Sequence, residues 1–121
     1  MPDKITEKII GAAIEVHKAL GCGLLESIYE EALCHEFNLQ DVDYERQYKI
    51  DVVYKNKIIR GQRLDLLVME RVVVEIKSLR QLPGVATAQV LSYLKATNLK
   101  RGLIINFGKS RLTDGIKRIS L

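Results

Sequence analysis

Apolar and polar positions change period several times along the chain, and each change marks an element. From residue 5 to 20, Ile5, Ile9, Ala12, Ala13, Val16 and Leu20 recur at helical spacing on one stripe. Asp3 stands where an N-cap is expected, and Gly21 where the helix should stop. After Gly21-Cys22-Gly23, a second helical pattern covers residues 24–38 through Leu25, Ile28, Ala32, Leu33 and Phe37. It sets Glu26 and Glu30 one turn apart, with Tyr29 beside them. The period then falls to two. Tyr48, Ile50, Val52 and Tyr54 alternate with other residues, Lys55-Asn56-Lys57 reads as a turn, and residues 58–68 and 72–79 read as two further strands. Pro83-Gly84 opens a helix of about 14 residues that ends near Asn98. Residues 103–107 form another buried strand, and residues 115–121 fit either a short strand or a helix end. A hairpin-rich sheet flanked by helices, in the order α, α, β, β, β, α, β, is an α/β or α+β sandwich.

Composition narrows the class. A chain of 121 residues, 47% hydrophobic and 28% charged, is expected to form one globular domain over residues 1–121. No apolar run approaches the roughly 18 residues of a membrane span, and the start, MPDKITEK, has no apolar signal-peptide core. The expected location is the cytoplasm, with no membrane partner. Cys22 and Cys34 form no CxxC pair, which argues against zinc or a disulfide framework.

The net charge of +4 hides an asymmetry. Residues 1–70 hold 9 Lys/Arg and 13 Asp/Glu, whereas residues 71–121 hold 10 and 2. A basic half suggests a polyanion partner, and equally a merely solvated basic surface. Arg46, Arg80, Lys100, Arg101, Lys109, Arg111, Lys117 and Arg118 are the candidates for phosphate contacts, with Arg80, Lys100, Arg101 and Arg111 taken as the nucleic-acid-binding set.

The chemistry gathers around VVVEIKSL, residues 72–79. Such a run reads as a strand buried on both faces, where Glu75 and Lys77 would be costly unless compensated. The preceding strand carries Asp65 in RLDLL. If Met69 to Arg71 form a three-residue loop, Val68 faces Val72 and Asp65 faces Glu75, with beta carbons roughly 4.5–5.5 Å apart. A two-residue loop would put the acids on opposite faces unless a bulge intervened. Two facing carboxylates both stay ionised if a divalent cation lies between them, and oxygen ligands favour magnesium or manganese over zinc. Lys77 shares the face of Glu75, where it can orient or deprotonate an attacking water or stabilise transition-state charge. The plainer alternative is a Glu75–Lys77 ion pair on a half-exposed strand, with Asp65 capping a turn or pairing with Arg63. Gln89 and Tyr93, four apart on the later helix, share one face that could look onto the sheet's active edge.

Asp65, Glu75-Ile76-Lys77 and Gln89-Val90-Leu91-Ser92-Tyr93 together resemble the motifs of the PD-(D/E)xK nuclease superfamily, whose core is the restriction-endonuclease-like αβββαβ fold, a mixed sheet flanked by helices. Leu64 stands where the superfamily pattern has Pro. A closer resemblance is to the small bacterial GxxExxY proteins. Gly23-Leu24-Leu25-Glu26-Ser27-Ile28-Tyr29 is the naming motif, and RLDLLV, VVVEIKSL, AQVLSYL and GLIINFG continue the likeness over nearly the whole chain. The resemblance implies metal ligation by Asp65, Glu75, the Ile76 carbonyl and Glu26, the last with Tyr29 or Glu30 as neighbours. It implies Lys77 as the residue that activates or positions the water, and Gln89 and Tyr93 as residues that orient Lys77 or contact the phosphate backbone. The implied reaction is phosphodiester hydrolysis of nucleic acid, DNA before RNA, with Mg2+ or Mn2+.

Two rivals keep the fold without the activity: a nucleic-acid-binding module, and a regulatory subunit that works only as a homodimer or with a partner protein. His17 borders the apolar stripe of the first helix and reads as structural, hydrogen-bonded near the Gly21–Gly23 loop.

Overall fold

The computed structural model describes residues 3–121. Helices α1 (Lys4–Leu20) and α2 (Glu26–Leu39) come first. Asp3 caps α1, its carboxylate accepting from the Ile5 N–H at 3.1 Å and the Thr6 hydroxyl at 2.8 Å. Gly21 ends the helix at φ 70°, a value that L side chains resist. Then follow β1 (Tyr44–Tyr54), β2 (Lys57–Val68), β3 (Val72–Lys77), α3 (Val85–Thr97), β4 (Arg101–Asn106) and β5 (Ile116–Ser120). The open end of the sequence pattern is thus a 3-10 turn at Leu112–Gly115 followed by a strand.

The strands form one sheet in the order β1-β2-β3-β4-β5. Every neighbouring pair is antiparallel except β3 and β4, which the α3 crossover joins in parallel. This is a mixed sheet flanked by three helices, the restriction-endonuclease-like α/β arrangement. Its two faces carry separate apolar layers. On one, Ile9, Ala13, Leu33 and Phe37 of α1 and α2 pack on Leu66, Val74, Leu103 and Ile105. On the other, Val90, Tyr93 and Leu94 of α3 pack on Leu64, Leu67, Val73 and Ile104. β3 is therefore buried on both sides, as its unbroken apolar run predicts.

Three expectations about elements are corrected. The buried stripe of α2 is Tyr29, Glu30, Leu33, Cys34 and Phe37, while Leu25 and Ile28 are 73% and 44% exposed. The helix is rotated because the Tyr29 ring stacks on Phe107, centroids 4.4 Å apart and planes at 6°. The turn after β1 is Lys55-Asn56 alone, both at positive φ, and Lys57 already pairs with Tyr54. Finally, β1 begins at Tyr44 rather than Tyr48, because Tyr44, Glu45 and Arg46 pair with Val68, Leu67 and Leu66.

The β2–β3 connection is the three-residue loop Met69–Arg71, with Met69 and Glu70 at φ 51° and 57° and the Arg71 N–H donating to the Val68 carbonyl at 3.0 Å. Val68 accordingly faces Val72. At the opposite end of β2, the register with β1 shifts by one between Ile50 and Val52, and residues 51–63 are all exposed. That part of the hairpin projects beyond both layers.

Candidate active site

The β2–β3 ladder pairs Leu66 with Val74, and the next facing positions are Asp65 and Glu75. Here the carboxylates replace backbone partners. Asp65 Oδ2 accepts from the Ile76 N–H at 2.8 Å, and the Asp65 N–H points at Glu75 Oε1 at 3.4 Å. The strand also turns over at this point: Leu64 packs in the α3 layer, whereas Leu66, two residues on, packs in the α1/α2 layer. On β1 the matching position, between the pairs Arg46–Leu66 and Tyr48–Leu64, is Gln47 at φ 49°. The sheet opens there instead of continuing its pleat.

Glu75 is only 4% exposed. Burial, and after it the charge of Asp65, push its carboxyl up to about 7, while Lys77 pulls the other way. Lys77 Nζ stands 3.7 Å from Glu75 Oε2 and donates to Gln89 Oε1 at 3.4 Å. Gln89 Nε2 in turn donates to the Tyr93 hydroxyl at 2.8 Å. Burial first, then the Glu75 charge, raise the Tyr93 phenol above its ordinary value. The structure thus brings Asp65, Glu75, Lys77, Gln89 and Tyr93 into one connected group. Among the described residues no ion pair joins Asp65 to Arg63.

The Gly23–Tyr29 motif does something different. The Tyr29 hydroxyl donates to the Gly21 carbonyl at 2.5 Å and accepts from the Leu24 N–H at 3.3 Å. Ser78 Oγ donates to the Leu24 carbonyl at 2.6 Å, and Glu26 Oε2 accepts from the Ser78 N–H at 3.3 Å. The motif fastens the α1–α2 loop to the chain just beyond β3. Among the described residues no group of three or more His, Cys, Asp or Glu side chains forms a metal cluster, and the contact that Glu26 makes is to the Ser78 N–H.

Glu30, expected only as a neighbour of Glu26, and Arg46, expected at a phosphate, instead form a group behind the acid pair together with Gln47, which the sequence did not single out. Buried Glu30 takes Arg46 Nη2 at 2.9 Å and Gln47 Nε2 at 2.9 Å, and Gln47 Nε2 also lies 3.5 Å from Asp65 Oδ1. Gln47 therefore ties Glu30 to Asp65. The available signal was an acid inside the stripe Tyr29, Leu33, Phe37. Arg46 is held by Glu30 rather than standing free. His17 is structural in its contacts, but the ring's partner is the Lys109 carbonyl oxygen, 2.9 Å from Nε2, rather than the Gly21–Gly23 loop expected from the sequence.

The candidate phosphate contacts are scattered. Exposed Arg80 follows the site end of β3, and exposed Arg111 precedes the 3-10 turn. Lys100 and Arg101 stand at the start of β4, where Arg101 pairs with Val72 at the opposite end of β3 from Lys77. Arg101 is also engaged, Nη1 lying 2.7 Å from Asp3 Oδ2, and that contact lowers the Asp3 pKa.

Two facing carboxylates with the Ile76 backbone between Glu75 and Lys77 make an all-oxygen donor set. Such a set suits a hard cation that keeps several waters and takes further oxygens from a substrate phosphate. The Glu75 carboxyl, its pKa raised by burial first and by the charge of Asp65 second, is the group that a cation would most relieve.

Fold and site together define a nuclease-type α/β protein. The profile of the PD-(D/E)XK nuclease superfamily matches residues 3–119, and the chain belongs to that superfamily. Its nucleases generally use divalent metals and act on nucleic acid. Among solved structures, the crystal structure of SSO0001 is similar over 99% of this chain and 79% of its own, with a TM-score of 0.51 and 18% identity, a likeness of fold. No curated protein sequence matches the chain. Among the described residues no helix is long and apolar enough to cross a membrane.

Proposed function

We propose that the protein is a magnesium- or manganese-dependent nuclease that hydrolyses phosphodiester bonds of DNA, with residues 1–121 as one nuclease domain of the bacterial GxxExxY kind, working in the cytoplasm. The observation that carries this reading is the opened β2–β3 hairpin, where Asp65 faces Glu75 and Lys77 is held by Gln89.

Asp65, Glu75 and the Ile76 carbonyl would hold the cation. When bound it supplies charge neutralisation at the phosphate and at the leaving oxygen. The chain does the rest. The Ile76 N–H fixes the Asp65 carboxylate, and the Gln89–Tyr93 pair fixes the Lys77 ammonium. Lys77 orients the attacking water and meets negative charge as it builds on the phosphate oxygens. Water adds to phosphorus in line as the bond to the leaving sugar oxygen breaks; the water's proton passes to solvent, and the leaving oxygen takes one up from solvent. Glu26, bound to the Ser78 N–H, anchors the segment that follows β3.

The test is cleavage of labelled single- and double-stranded DNA and RNA with Mg2+ or Mn2+. Glu75→Gln and Lys77→Ala are each expected to lose about 10²-fold or more of a metal-dependent activity. Equal activity in wild type and both variants removes these residues from the chemistry. A wild type that binds nucleic acid but never cleaves it leaves a binding module on a nuclease fold.

A further inference from the structure

The projecting end of the β1–β2 hairpin, residues 51–63, takes no part in either apolar layer, and the ribbon that carries it is strongly basic. Residues 49–63 carry Lys49, Lys55, Lys57, Arg60 and Arg63 against the single acid Asp51. Among the described residues none of these five cations is in an ion pair. Lys49 lies directly opposite Arg63, a like-charge pair that destabilises a hairpin unless an anion offsets it. Lys55 sits over the exposed Tyr54 ring at 5.4 Å. Val52 faces Ile59 and Val53 faces Ile58, so apolar side chains, 44–66% exposed, stand on both surfaces of the ribbon. The arm reaches about 20 Å from Ile50 to its tip at Asn56. It is continuous with the site, since β2 runs from the arm straight into Asp65.

We propose that this arm is a double-stranded-DNA-binding ribbon that enters the major groove beside the acid pair. The inference rests on the nuclease reading above and narrows its substrate to duplex DNA. B-DNA's major groove, about 12 Å wide, admits a two-stranded β-ribbon, whereas the deep, narrow major groove of duplex RNA does not. The unpaired cations meet phosphates along both walls, and the apolar side chains meet sugars and thymine methyls. A second copy of this chain is the poorer occupant, because two arms laid together would bring ten cations into contact with two acids between them.

The test is equilibrium binding to a fluorescent duplex in EDTA, which needs no cleavage, over a series of salt concentrations. The wild type is compared with K55E/K57E/R60E and with the charge-keeping K55R/K57R/R60K. Melting curves check folding of each. The charge-reversed protein is expected to bind duplex DNA at least about 10²-fold more weakly at ~0.1 M salt, with the slope of log affinity against log salt shallower by about 2.7. The charge-keeping protein is expected to match wild type. An unchanged affinity and slope in K55E/K57E/R60E overturns the proposal, as does an equal loss on duplex RNA and single strands, which removes the groove assignment. Unchanged DNA binding with loss of a dimer in sedimentation also overturns it and gives the arm to a second copy. The nuclease reading fails by a separate readout, the absence of metal-dependent cleavage on every substrate.

Discussion

The Glu75 carboxyl binds its proton more tightly in the folded chain, where its pKa reaches about 7, than at its ordinary value of 4.5. Between those values the native state carries the extra proton, so this group's contribution to stability is complete below about 4.5 and is lost as pH rises through about 7. The metal-free protein should therefore show a falling stability over that interval that Glu75→Gln flattens, and the difference between the two calorimetric profiles isolates the group. Proton and cation compete for the same oxygens, so Mg2+ should raise the melting temperature well above pH 7 and little near pH 5. Equal stabilisation by Mg2+ at both pH values would put the ion elsewhere. A second residue-scale prediction concerns Tyr29. Tyr29→Phe keeps the stack on Phe107 but removes the bonds to Gly21 and Leu24. It should cost about 1–2 kcal/mol in denaturant unfolding and speed hydrogen exchange at the Leu24 amide. Asp65, Glu75 and Lys77 were readable because strand parity follows from a short loop. Glu30 was not, since the apolar residues of α2 fit two adjacent stripes and only the Tyr29–Phe107 contact chooses between them.

At the scale of elements, β3 and β4 stay joined beyond their last paired residues by the Phe107 N–H, which donates to the Lys77 carbonyl at 2.8 Å, and by the Asn106 side chain. Asn106 Oδ1 accepts from the Leu79 N–H at 2.9 Å and from the Gly108 N–H at 3.0 Å, while Nδ2 donates to the Leu79 carbonyl at 2.9 Å. Gly108 lies so close to this segment that an added Cβ would run into the Leu79 backbone. Gly108→Ala should then destabilise the fold by about 1–3 kcal/mol and shift Ser78 away from Glu26 and Leu24. A melting curve like wild type's would mean the segment gives way freely. The order of elements was legible as far as β4, because the helices and buried strands bury apolar side chains at their own periods; β5, with a single buried residue, Ile119, left no such period. The start of β1 was not. Glu45, Arg46 and Gln47 are exposed on an edge strand, and what makes them a strand is the β2 partner, which local pattern does not contain.

For the whole molecule, charge counted by sequence halves hides the basic ribbon at the end of the β1–β2 hairpin. The acids Glu26, Glu30, Glu31, Glu36, Asp41, Asp43 and Glu45 follow one another along α2 and into β1, and they cancel the arm's cations in any tally over residues 1–70. Folding puts the two groups on different elements: the acids lie on the helix and its exit, the cations on the exposed end of the β1–β2 ribbon. Because residues 51–63 are exposed, the arm contributes little to holding the sheet together. Deleting Val53–Ile58 and rejoining Val52 to Ile59 through Asn-Gly should leave the melting temperature within a few degrees of wild type. A large drop would show that the arm is packed against something in solution.

The loop Met69–Arg71 has a consequence for how this site can be inherited. Substitutions in it touch neither acid, and most should pass unnoticed apart from the strain at the two positive-φ positions. A change in its length is another matter. Gain or loss of one codon would slide β3 by one residue against β2, turn Glu75 and Lys77 toward the α1/α2 layer, and bring apolar neighbours such as Val74 and Ile76 round to the face they left. All five site residues would still be encoded, and an alignment would score them as intact. In lineages of this chain the spacing between Asp65 and Glu75 should therefore drift far less than the identity of the residues that span it.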